Sequence, residues 1–229
     1  MIASDFPLLY GGFVALTVIT LLAFYLLTGR KAVVLVGGAI WLTVAAFLAK
    51  AGFFLVTDTV PPRIGLLLVP MLVGGALVGF GGVGKSLRGK AWLEGLHYFH
   101  GIRILVEVVF LHGLYEAGFV AQAMTYEGLN YDLVPGILLP VVGLLVFRLG
   151  VLTRGWAVVA NLFGIAVLAW TVVTAVLSAP SSYQVFSPEQ PTVAIFHFPF
   201  VWLPALVAPL MFWAHFIGLK LLMRRKEGA

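Results

Sequence analysis

The sequence predicts an all-α, polytopic membrane protein with seven transmembrane helices in a single domain spanning residues 1–229. Three observations carry this reading. The first is composition: 62% of residues are AVILMFWYC, about 73% with the 26 glycines, and only 10% are charged, whereas soluble domains are roughly 45–50% apolar and about 25% charged. A soluble domain of about 300 residues buries only ~75% of the surface its unfolded chain exposes, so a 229-residue fold in water could not hide this much apolar surface. The second is a series of apolar runs near the ~20 residues that a helical span requires. The third is a lopsided distribution of Lys and Arg between alternate connections.

Taken in order, the runs are 7–28, 32–56, 64–84, 93–123, 133–150, 156–178 and 198–222, each bounded by charge, Gly or Pro. The fourth is longer than a bilayer requires and is expected to begin as an interfacial turn near Trp92-Leu93-Glu94. Continuous apolar stretches exclude a membrane β-barrel, whose strands alternate over about ten residues. One set of connections carries Arg30, Lys31, Lys85, Arg88, Lys90, Arg148, Arg154, Lys220, Arg224, Arg225 and Lys226, and the other carries only Arg63. Asp5, Asp58, Glu127, Asp132 and Glu189 lie on the side poor in base. The positive-inside rule therefore puts the N-terminus outside and the C-terminus in the cytoplasm. Met1–Asp5 has no basic region, which argues against a cleaved signal peptide.

With no cysteine in the chain, a disulfide scaffold, a thiolate metal site and a cysteine nucleophile are excluded. The pI near 9.6 reflects positive-inside loops rather than a nucleic-acid surface. Residues 79–86, GFGGVGKS, match the phosphate-loop pattern, but that mechanism needs a preceding strand and an Asp to hold Mg²⁺. Here they read as a glycine-rich helix end followed by cytoplasmic base, with Gly75 and Gly79 allowing close helix packing. Retinal chemistry would need a lysine midway along the last helix, and Leu206 to Ala214 has none. The five histidines do not fall in helical phases suited to bis-histidine haem, so no cofactor, neither haem nor zinc, is expected.

The fourth span holds His100, Arg103, Glu107, His112 and Glu116. Charges inside a membrane are costly and mark function or a structural pair. Residues 100, 103 and 107 share one face, and Arg103 and Glu107 have the i, i+4 spacing of an ion pair. His112 and Glu116 project from another side, which predicts that the fourth helix is central. Depth matching places Asn161 and His215 level with Arg103, and Lys50 level with Glu116 as a second polar pair. Arg103, Glu107, His100, Asn161 and His215 are thus the candidate ligand-binding or proton-sensitive residues. The outer lip of such a site would be Tyr126, Glu127, Asn130 and Asp132.

Residues 124–132, MTYEGLNYD, and 190–204, QPTVAIFHFPFVWLP, follow and precede apolar helices, and Pro199, Pro204 and Pro209 can free backbone carbonyls there. Together with the Arg103–Glu107 helix, these stretches resemble an uncharacterised family of bacterial multi-spanning membrane proteins over about 98–222. The resemblance implies a seven-helix protein of the bacterial plasma (inner) membrane and attaches no activity.

Three functions remain open. A ligand-binding or transport protein would use Glu107 as a proton- or cation-sensitive group and would need a cavity reaching it. An enzyme acting on a lipid or isoprenoid would need Glu107 in reach of a histidine. A structural or accessory subunit would have its polar groups paired and no cavity. Membrane lipid and a small apolar or amphipathic ligand are the expected partners; nucleic acid is not.

Overall fold

The computed structural model describes residues 6–29, 31–70, 73 and 90–223. Among these the chain is all-helical, and four helices are long and apolar enough to cross a membrane: Pro7–Leu27, Ala32–Lys50, Arg154–Ser178 and Leu203–Met223. The chain order is α1 (Pro7–Leu27), α2 (Ala32–Lys50), α3 (Lys90–Phe99), α4 (Ile102–Leu105), α5 (His112–Glu116), α6 (Leu133–Gly143), α7 (Arg154–Ser178) and α8 (Ala208–Met223). Three wide turns of π-helix extend this framework: Val106–Leu111 joins α4 to α5, Leu144–Arg148 continues α6, and Leu203–Val207 leads into α8. The predicted third span falls largely on 71–89, outside the described residues, as do GFGGVGKS and the Gly75–Gly79 pair; its described start, Arg63–Leu68, is a 3-10 helix.

Packing follows composition. α8 lies against α7 and α3, α6 against α7 and α3, and α1 against α2, α3 and the Leu203–Val207 turn. Phe13, Phe24, Phe110, Phe200, Leu206 and Leu210 belong to the largest core cluster. Elsewhere apolar side chains point outward, as at Val33, Val36, Ile40 and Phe47 on α2, which suits a lipid environment.

Of the four long apolar helices, the last is the most enclosed. The fourth span leaves Tyr98, Leu105, Val108 and Val109 exposed along one side. The fourth span packs against α1, α6 and α8 on its buried side, whereas on its second polar side Glu116 is exposed at the helix end and His112 lies under the Tyr126 ring.

Proline chemistry locks the last helix to α2. Pro209 has no N–H, so the carbonyl four residues earlier, on fully buried Ala205, loses its helical donor. Trp41 Nε1–H donates to that carbonyl at 2.9 Å, and Trp202 Nε1–H donates back to the Leu42 carbonyl at 2.9 Å. Each bond satisfies a polar group that lipid could not.

The segments 117–132 and 179–199 are stitched into one cap. The Phe119 carbonyl accepts from the amides of Val193 and Ala194 at 3.0 Å, and Gln190 Nε2 donates to the carbonyls of Tyr115 and Val120 at 2.8 Å. Thr192 accepts from the Ala121 amide through its hydroxyl. The helical stretch that follows, Leu133–Arg148, has sixteen residues, about 24 Å at 1.5 Å per residue, against a hydrocarbon core of ~30 Å. Asn130 and Asp132, just before it, are buried, so the end of the cap lies inside the bundle.

Candidate functional site

A connected polar network runs through the interior. Arg103, 2% exposed, extends one guanidinium nitrogen to Asp132 Oδ1 at 3.1 Å and the other to His215 Nε2 at 3.0 Å. His215 Nδ1 meets Asn161 Oδ1 at 3.0 Å; Asn161 Nδ2 reaches His97 Nε2 at 3.1 Å and the Ala157 carbonyl at 2.8 Å; His97 Nδ1 meets the Leu93 carbonyl at 2.7 Å. The chemistry of the ends fixes the protons between them. A guanidinium only donates, so His215 Nε2 accepts and its proton sits on Nδ1, which donates to Asn161. The Leu93 carbonyl only accepts, so His97 carries its proton on Nδ1 and takes the Asn161 amide at Nε2. Both imidazoles are neutral in this arrangement.

Glycines on the facing helices make room for these side chains. A methyl at Gly164 on α7 would overlap the His215 ring, and one at Gly143 on α6 would come 2.7 Å from His97 Cβ. His100 stacks on His215 with ring centroids 3.9 Å apart, and both its nitrogens are buried without a hydrogen bond.

Glu107, 1% exposed, belongs to a neighbouring branch. Asn130 Nδ2 donates to Glu107 Oε2 at 2.7 Å and to the Met124 carbonyl at 3.1 Å, while Asn130 Oδ1 accepts from the Thr171 hydroxyl and the Asp132 amide. The expected Arg103–Glu107 ion pair is absent among the described residues; the buried salt bridge is Arg103–Asp132. The local i, i+4 spacing loses to Asp132, the residue before α6, which takes one terminal nitrogen of the guanidinium while His215 takes the other. Lys50 and Glu116 also do not pair: both are exposed, and the Lys50 ammonium lies 4.9 Å from the centre of the Phe198 ring.

Of the four expected lip residues, Tyr126 and Glu127 are exposed, with Tyr126 stacked over His112. Asn130 and Asp132 are instead buried members of the network. The structure thus gathers Arg103, His215 and Asn161 directly, places Glu107 beside them through Asn130, and lays His100 against His215. His97 and Thr171 were not singled out from sequence; His97 shares the face of His100 and Arg103, a helical phase that could have flagged it.

Beside this network lies a cavity of about 120 Å³. Its walls are apolar, including Leu111, Leu168, Val172, Ala175 and Val207, and its polar lining includes Arg103, Glu107, Asp132 and Thr171. Thr57, Pro62, Pro180 and Ser181 line its other end. A second cavity, about 390 Å³ between α1, α2 and the last helix, has no ionisable side chain in its lining. Among the described residues no three His, Cys, Asp or Glu side chains are grouped to hold a metal ion. No family model, curated protein or solved structure matches the chain.

Proposed function

We propose that this is a seven-span protein of the bacterial plasma membrane, N-terminus outside, that binds or transports a small apolar or amphipathic ligand at the Arg103–Glu107–Asp132 site. The observation that carries the proposal is the cavity: apolar walls descending to three charged residues that are otherwise sealed from solvent. Ligand pockets combine mostly apolar linings with a few placed polar groups, and ionisable residues within membrane spans concentrate at substrate and ion paths. The accessory-subunit reading requires every polar group to be paired, whereas both His100 nitrogens and Arg103 Nε have no partner. The enzyme reading requires Glu107 in reach of a histidine, and its hydrogen-bond partner is Asn130.

The test uses protein purified gently from its own membrane. Solvent extraction followed by mass spectrometry should recover an amphiphile in stoichiometric amount, and Ala175→Trp, which fills the apolar wall, should lose it. Equal recovery from both proteins, or recovery of bulk lipid alone, would count against the cavity as a binding site.

A further inference from the structure

The polar floor of the cavity holds two carboxyl groups, each with one unengaged oxygen. Glu107 gives Oε2 to Asn130, and Asp132 gives Oδ1 to Arg103; the second oxygen of each has no hydrogen bond among the described residues, and both residues line the cavity. Arg103 is the one cation among the described lining residues; each terminal nitrogen makes one hydrogen bond, to Asp132 and to His215, and its Nε has no partner. His97 and His215 add no charge in the tautomers fixed above, and His100 packs against His215 outside the cavity lining. Two carboxyl groups share the floor with one guanidinium and keep two oxygens unengaged, and a cation placed beside them favours their ionised form. At the far end, Asp58 follows the lining residue Thr57 and is exposed, while the Arg63 guanidinium lies over the Phe53 ring, 4.8 Å from its centre.

We propose that the ligand is an amphiphile with a protonated amine head. Its N–H donors reach the unengaged oxygens of Glu107 and Asp132, and its alkyl chain lies along Leu111, Leu168, Val172, Ala175 and Val207. An ammonium supplies up to three charged donors to the two unengaged carboxyl oxygens. A carboxylate or phosphate head would find only the spare N–H groups of the one Arg103 guanidinium and would bring a third acid against Glu107 and Asp132, and an alcohol offers a single neutral donor. The inference rests on the binding reading above and specifies its head group.

The experiment compares n-octylammonium, 1-octanol and octanoate, equal in chain length, by equilibrium binding at neutral pH to the protein in nanodiscs of zwitterionic lipid. Octylammonium should bind at one per chain and about tenfold tighter than octanol, the margin that separates charge-assisted from neutral hydrogen bonds. Octanoate should not exceed the background of Ala175→Trp, or of Val172→Phe where the tryptophan variant does not fold. Glu107→Gln should remove the preference for octylammonium while leaving octanol binding intact. Octanol or octanoate binding as tightly as octylammonium, or a preference unchanged in Glu107→Gln, would overturn the head-group assignment and leave the cavity reading standing. Failure of all three probes to exceed the blocked variants would overturn both.

Discussion

Removing the charge of Asp132 should be among the most damaging single changes in the polar network, although the sequence places this residue at a loop. Asp132 is 5% exposed and Arg103 2%, with 3.1 Å between Oδ1 and the guanidinium nitrogen. At that distance two unit charges attract by about 5 kcal/mol at an effective dielectric constant of about 20. Desolvation has already been incurred on folding, so Asp132→Asn strands a buried guanidinium and should cost ~3–5 kcal/mol. Arg103→Gln should cost a similar amount, and the double change should fall short of the sum by ~2 kcal/mol or more, because the second substitution removes a charge that has lost its partner. Glu107→Gln, which keeps an oxygen for Asn130 and breaks no salt bridge, should cost less than Asp132→Asn, about 1 kcal/mol. Reversible unfolding in mixed micelles measures all four proteins. If Glu107→Gln is as costly as Asp132→Asn, or if the Arg103 and Asp132 changes are additive, the ion pair has been assigned to the wrong carboxylate.

Gly164→Ala should push the His215 ring off Arg103 and Asn161 and lower stability by about 1–3 kcal/mol, read as a drop in thermal midpoint. Trp41→Phe leaves the Ala205 carbonyl without its donor and should cost about 1–3 kcal/mol; in a Pro209→Ala background, which restores a backbone N–H, the same change should cost measurably less. Cysteine at Glu127 or Glu189, both exposed, should react with an impermeant thiol reagent added to intact cells, and cysteine at Arg154 should not. Cysteine at Asp132 should stay unlabelled on intact cells because that position is enclosed.

The spans were legible wherever a long apolar run ends in charge, Gly or Pro. The expected 7–28 and 156–178 correspond to Pro7–Leu27 and Arg154–Ser178, since hydropathy and helix length are local properties that a bilayer-sized apolar run states directly. The second run was read too long: the helix stops at Lys50, and Gly52, at a φ of 72°, turns the chain into a 3-10 segment at Phe53–Leu55. The polar face of the fourth span was legible for the same local reason, because His100, Arg103 and Glu107 recur at helical spacing. Which carboxylate Arg103 chooses was not. Sequence spacing favours the neighbour four residues away, but the partner is 29 residues along the chain, delivered by the buried end of the cap where it enters α6. The same applies to Asn130, which reads as a turn residue and becomes the donor to Glu107, and to the glycines whose missing side chains seat the histidines. Helices are written in the order of residues, whereas the pairing of buried charges is decided by which segments the packed bundle brings within 3 Å or so, where the cost of leaving a charge unpaired in a low-dielectric interior selects the partner.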